Sequence, residues 1–185
     1  IGASKGDTTY RYMKFSFGIS EMKPIEITDL DDLVAFRDLI NSGDTFYYTD
    51  SKTFVSTKDP NHTVIAPLGD GYSFKLMNDI DVTLSSEDWE PIGSKDNPFK
   101  GYFDGNGHTI SVKPSNTNTN DYQGLFGYMQ GRVKNLYINI PQNTKIVGHD
   151  YVGAVAGYCH GTIDSCATVG SCSDTTNVVK GHEHV

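Results

Sequence analysis

What this sequence has little of sets the first bounds. Positive charge is scarce: 15 Lys and Arg stand against 23 Asp and Glu, a net charge of −8. Phosphate backbones need a basic surface, so nucleic acid is excluded as a partner. No long run of apolar residues occurs, which leaves no candidate for a membrane-spanning helix. Cysteine is sparse: Cys159, Cys166 and Cys172 are the whole set. None is spaced C-x-x-C, and no His pair completes a zinc set. Either Cys166 and Cys172 pair in an oxidising compartment, or the three stay as free, small, buried apolar groups. The low count favours the thiols. A basic-then-apolar leader is also missing. The chain opens "IGASKGD", which reads as the interior of a longer protein whose signal peptide lies outside this segment. Gly-x-Ser-x-Gly, the P-loop and His-Glu-x-x-His are absent, so no familiar catalytic signature marks the chain and no cofactor is expected.

What is present is glycine (19), tyrosine (11) and phenylalanine (9) in a chain of 185 residues. Abundant Gly with aromatics and short apolar stretches predicts short strands joined by turns. Residues 10–19 alternate, with Met13, Phe15, Phe17 and Ile19 on one face. That is a strand of a segment, 1–24, which either caps the region after it or ends a preceding β domain. Ile25-Glu26-Ile27 reads as a second strand. Leu30, Leu33, Val34, Leu39 and Ile40 then recur at helical spacing, behind Thr28-Asp29 and ahead of Gly43. Cap, acidic first turn and terminal Gly predict one amphipathic helix over about 29–42. Residues 44–72 are polar, carry Pro60 and Pro67, and read as an insertion; Asn61-His62-Thr63 is a glycosylation sequon.

From Tyr72 onward period two returns. Phe74, Leu76, Ile80, Val82 and Leu84 share one parity, and Ile110 and Val112 share another face. Between them lies "GYFDGNGHTI" (101–110). Asp104-Gly105-Asn106-Gly107 has the look of a calcium loop, but His108 and Thr109 stand where a ligand and a Gly belong. Asp-Gly and Asn-Gly are turn signals, so a turn is predicted.

Internal similarity carries the most information. "GYMQGRVKNLYI" (127–138) and "GYCHGTIDSCAT" (157–168) align at an offset of 30: Gly127 with Gly157, Tyr128 with Tyr158, Gly131 with Gly161, Val133 with Ile163, Leu136 with Cys166. "IVGHDYV" (146–152) echoes "VKGHEHV" (179–185) at 33. Periods of 20–50 residues mark stacked repeats. The second echo stops where another repeat would begin, so the chain reads as truncated at its C-terminus. Val133, Leu136, Ile138 and Ile140 would face inward, and Lys134, Tyr137 and Asn139 outward. That pattern breaks parity at Lys134-Asn135 and so predicts a corner there. Gly127, Gly131, Gly157 and Gly161 are expected at turns or close approaches.

These residues resemble a known family. "LFGYMQGRVKNLYI" and "YVGAVAGYCHGTIDSCATVG" are similar to the GLUG motif of bacterial surface proteins. The preceding "NDIDVT…WEPIG…PFKGYFDGNGHTISV" and "ITDLDDLVAFRDLINSG" resemble the segments that lead into such repeats. The resemblance spans 25–185, with repeats over about 122–185. It implies an all-β fold, a right-handed parallel β-helix with one N-terminal capping α-helix. It also implies a secreted or cell-surface setting and a non-enzymatic, adhesin-like or stalk role with glycans or extracellular proteins as partners. Tyr102, Tyr122, Tyr137 and Tyr151 are the candidate ligand-face aromatics.

Two other readings compete. A β-helix carbohydrate-active enzyme would use carboxylates among Asp79, Asp81, Glu87, Asp88 and Glu90. A non-catalytic region of a large secreted peptidase would show a zinc motif downstream. Asp79 and Asp81 would lie on one side of a strand, about 7 Å apart, and could grip a cation, though alternation makes them a solvated face. Trp89 is expected as an apolar plug. His149, His182 and His184 share a repeat phase, which explains them without a metal.

Overall fold

The computed structural model describes residues 24–43, 46–48, 54–56, 73–84, 88–112, 119–141, 144–169 and 179–182. The expected strand over 10–19, the sequon, Glu87, Cys172 and His184 lie outside these residues. Strand β1 (Ile25–Ile27) leads into helix α1 (Leu30–Ser42). The helix starts where its sequence dictates. Asp29 accepts from the Asp32 N–H at 2.9 Å, and Asp32 reaches back to the Thr28 N–H at 2.9 Å. One donor of the free first turn, the Asp32 N–H, is thereby satisfied, and the chain entering the helix is tied to it. It ends at Gly43, whose left-handed backbone (φ 65°) sends its N–H to the Ile40 carbonyl. An antiparallel pair, β2 (Phe46–Tyr48) and β3 (Phe54–Ser56), lies within the stretch expected as an insertion.

Every other strand pair among the described residues is parallel. The chain runs through β4 (Ser73–Leu76), β5 (Ile80–Asp81), β6 (Tyr102–Asp104) and β7 (Thr109–Ser111). It continues with β8 (Phe126–Met129), β9 (Arg132–Lys134), β10 (Tyr137–Asn139) and β11 (Ile146–Val147). It closes with β12 (Ala156–Cys159), β13 (Thr162–Asp164), β14 (Ala167–Val169) and β15 (Val179–Lys180). One sheet has the order β1-β4-β6-β9-β13 and another β14-β10-β7-β5; β8-β12 and β11-β15 form two-stranded sheets. The described residues thus form mostly strands in parallel sheets, with one α-helix.

The register turns the sequence period into contacts. Tyr128 pairs with Tyr158 and Val133 with Ile163, at the offset of 30 read from the sequence. Ile146 pairs with Val179 at the second offset, 33. Like residues therefore sit above like residues. Ile25, Phe74, Phe103, Val133 and Ile163 form one file across the large sheet. Ile80, Ile110 and Ile138 form another across the second sheet. Ile92, Phe126 and Ala156 form a third. The inner members are fully buried, whereas Ile163, on edge strand β13, is 41% exposed. Phe36 carries the helix into this core, with its ring 4.4 Å from Phe74 and 5.8 Å from both Phe99 and Phe103. Asn41 then fixes the helix end: its amide donates to the Pro91 carbonyl and accepts from the Gly93 N–H.

The inward set Val133, Leu136, Ile138 and Ile140 is buried as expected, and the corner falls at Asn135. Asn106, Asn135 and Ser165 all have positive φ (53°, 52°, 52°), as do Tyr122 and Tyr151 (59° each). Corners thus recur at the repeat spacing, built from side chains that tolerate the left-handed region or are held there by packing. Four glycines were expected at turns or close approaches, and all four lie at close approaches. Gly127 and Gly157 lie inside β8 and β12, Gly131 and Gly161 sit at the bends before β9 and β13, and none has positive φ. They are small because backbone from the neighbouring repeat presses on them; a Cβ on Gly157 would lie 2.7 Å from the Tyr122 carbonyl carbon.

Two further expectations fail. Leu84 is 80% exposed. Asp81 accepts from the Thr83 N–H and hydroxyl and winds 82–84 into a 3-10 turn, which breaks period two. Cys159 is exposed rather than buried, because it follows Phe99 and Met129 in a file that ends on β12. Cys166 is a free, half-buried thiol whose pKa is raised by burial.

Candidate functional site

The turn at 104–107 is where the sequence placed it. Asn106 and Gly107 both have positive φ, and the His108 N–H donates to the Gly105 carbonyl. Asp104 accepts from the Asn106 N–H (2.9 Å) and from Asn135 Nδ2 (3.2 Å), and pairs with Lys134 Nζ (3.0 Å). Burial raises its pKa, but those partners outweigh burial, so the carboxyl ends below its ordinary value. It ties one repeat to the next.

The four candidate tyrosines do not form one face. Tyr102 lies on β6 and Tyr137 on β10, in different sheets, 42% and 40% exposed. The Arg132 guanidinium covers the Tyr102 ring (5.4 Å to its centroid), donates to its hydroxyl and pairs with Asp164 at 3.1 Å. Tyr122 and Tyr151 stack on each other at 4.9 Å, half-buried. They join Tyr128 and Tyr158, which stack at 4.4 Å. Burial, then the hydrogen bond with Tyr158, push the Tyr128 hydroxyl above its usual pKa. Tyr128 and Tyr158 were visible as repeat partners; their stack needed the register.

Asp79 and Asp81 have separate tasks. Asp81 winds the 3-10 turn. Asp79 accepts from the Thr109 N–H at 2.9 Å and faces His108 Nδ1 at 3.1 Å. A clamp of the same geometry joins another pair of stretches: Asp121 Oδ1 lies 3.1 Å from His149 Nδ1 and accepts from the Asp150 N–H at 3.1 Å. A third His follows, with His182 Nδ1 3.6 Å from Asp150. The signal was Gly-His at 107–108, 148–149 and 181–182, with Asn-Asp at 78–79 and 120–121. The partners of each clamp are far apart in the chain, so only the register brings them together.

The Thr109 N–H, followed by His108, holds the Asp79 carboxyl below its ordinary pKa. A carboxyl depressed in the folded state gives stability that is complete above its unfolded pKa, about 3.9. That stability is lost as pH falls through the lower, folded value. We expect the carboxyl-carbon NMR titration of Asp79 to have a midpoint below that of the unfolded chain, and Asp79→Asn to remove this part of the acid dependence. A midpoint at or above the unfolded value would refute the clamp.

Of the acids of the enzymatic reading, Asp79, Asp81, Asp88 and Glu90 are among the described residues, and all four are exposed. Asp88 and Glu90 are exposed on either side of Trp89. Trp89 is 6% exposed and donates to the Leu125 carbonyl, with Arg37 over its ring. It is an apolar plug, as expected. A cleft of about 150 Å³ beside the helix C-terminus is lined by Ile40, Gly43, Asp96, Asn97, Pro98 and Lys100. Among the described residues its lining has one carboxylate, Asp96, and none of Asp79, Asp81, Asp88 and Glu90. Among the described residues, no helix is long and apolar enough to cross a membrane.

Fold and site together define a class: a protein of mostly parallel sheets, in which Tyr128 pairs with Tyr158 and Val133 with Ile163 at the offset of 30 and polar side chains clamp neighbouring stretches. Two relatives share parts of this sequence. A protein of Evansella cellulosilytica named as a Gly-rich membrane protein is 38% identical over 104 residues, 53% of this chain and 12% of its own length. Halomucin of Haloquadratum walsbyi is 33% identical over 118 residues, 57% of this chain and 1% of its own length. The chain thus spans a small fraction of either relative. No family model matches it, and no solved structure does.

Proposed function

We propose that this chain is a module of a secreted or cell-surface protein, a GLUG-like right-handed parallel β-helix whose role is structural display or adhesion rather than catalysis. One observation carries the reading: the sequence period and the strand register coincide, Tyr128 with Tyr158 and Val133 with Ile163. Repeats that cannot bury an apolar face alone are stable when stacked, and stacking yields long side faces instead of a single cleft. Parallel strands joined by a crossover connect right-handedly in nearly all proteins, which supports the handedness. The names of the two relatives, a membrane protein and Halomucin, support a surface setting.

Glycans or extracellular proteins are the partners this surface suits, with Tyr102 and Tyr137 as its exposed aromatics. Glycan arrays and immobilised matrix proteins, probed with this chain and with its Tyr102→Ala and Tyr137→Ala variants, test the adhesive part. We expect binding that weakens at least tenfold in one of the variants. Absence of binding on either platform would overturn adhesion and leave a spacer. An experimental structure with left-handed connections would sink the architecture.

A further inference from the structure

We propose that His149, Asp150 and His182 form a binding site for a divalent transition-metal ion of the zinc type. One ligand atom from each of the three lies within 4.8 Å of the other two. The two imidazoles are parallel (5°), with ring centroids 5.4 Å apart. Both Nδ1 atoms flank one carboxylate: His149 Nδ1 is 3.5 Å from Asp150 Oδ2, and His182 Nδ1 is 3.6 Å from Asp150 Oδ1. Zinc binds imidazole nitrogen and carboxylate oxygen at about 2.0–2.2 Å, so its ligand atoms stand about 3.4 Å apart. Closing from the present spacing takes a movement of about an ångström. His182 can supply it, since its side chain is 69% exposed.

The donor set selects the ion. Two imidazoles and one carboxylate suit zinc, nickel or copper; calcium and magnesium take oxygen ligands. Asp121 Oδ1 lies 3.1 Å from the same His149 Nδ1, so an ion on that nitrogen would take the place of the His149–Asp121 contact. The first clamp supplies an internal contrast. Asp79 and His108 repeat the Asp121–His149 geometry without a second His. His149 and His182 stand one repeat apart in the chain, and pairing of β11 with β15 brings them together. A bound ion would thus cross-link two successive repeats, and binding would raise thermal stability by mass action.

Calorimetric titration of the chain with Zn²⁺ at neutral pH, with a non-chelating reductant present and Ca²⁺ and Mg²⁺ as controls, tests the site. We expect binding of one Zn²⁺ and no response to Ca²⁺ or Mg²⁺. Affinity should fall at least tenfold in His149→Gln, His182→Gln and Asp150→Asn, and stay unchanged in His108→Gln. His149→Gln decides most, because it leaves the His182-x-His184 pair and all three cysteines in the chain. Wild-type affinity in His149→Gln, equal loss in His108→Gln, or no Zn²⁺ binding would each overturn the proposal. The wild-type chain gives a second measurement free of folding effects. Zn²⁺ should shift the imidazole ¹⁵N signals of His149 and His182 and leave those of His108 in place; unmoved His149 and His182 signals would equally overturn it.

Discussion

Phe36→Ala is expected to cost about 3–5 kcal/mol of unfolding free energy, the usual penalty for truncating a buried aromatic. Phe36 is fully buried, although it belongs to the only α-helix among the described residues. Its ring meets Phe74, Phe99 and Phe103, which come from three successive stretches of the sheet region. Removing it leaves a void bordered by three rings that are themselves held in strand register, so collapse is limited and the cost sits high in the range. The measurement is a denaturant midpoint at unchanged slope. Leu84→Ala is the control: an 80% exposed side chain should change stability by no more than about 0.5 kcal/mol. Equal effects of the two variants would refute the docking of the helix as the closure of the core.

Gly131→Ala should destabilise by about 3 kcal/mol, the upper end for overpacking, because the obstacles are backbone atoms that cannot rotate away. A Cβ there would meet the Gly101 carbonyl oxygen and lie 2.7 Å from the Lys100 carbonyl carbon. The backbone of Gly131 itself is one that alanine accepts, since its φ is not positive. Gly107 is the reverse case: φ is 78° and nothing lies within 4 Å of the added methyl. Gly107→Ala should therefore cost only the left-handed penalty, about 1–2 kcal/mol. If denaturation ranks Gly107→Ala above Gly131→Ala, close approach between repeats is not what keeps Gly131 small.

Much of this was legible in the sequence, for reasons that differ by element. The helix was legible because caps act locally: Asp29 and Gly43 satisfy free backbone groups within one turn. The corner at Asn135 showed because inward residues on both sides of it changed parity. The pairing register showed because self-similar repeats place equivalent residues opposite one another. What stayed hidden depends on neighbours distant in the chain. A glycine in the sequence does not reveal whether dihedral freedom or crowding requires it, and for Gly127 and Gly157 crowding does. Leu84 matched the strand period until the Asp81 side chain captured Thr83 and turned the backbone. Phe36 is absent from the helical set read in the sequence; its weight in the core follows from which rings the helix meets. The Asp–His clamps join residues that look unrelated until the repeats are stacked.

The same self-similarity creates a hazard during folding. A strand that accepts its counterpart in the next repeat could also accept a partner shifted by one whole repeat, a kinetic trap of the kind that long-range parallel pairing exposes. The files of unequal side chains oppose it. With the segment 156–169 in the place of 126–139, Ala156 would replace Phe126 and Cys166 would replace Leu136 in the interior. The slipped form would have holes where the correct one has a ring and an isobutyl group. Near-identical glycines and tyrosines let the repeats pair, and the mismatched core residues identify which repeat is which.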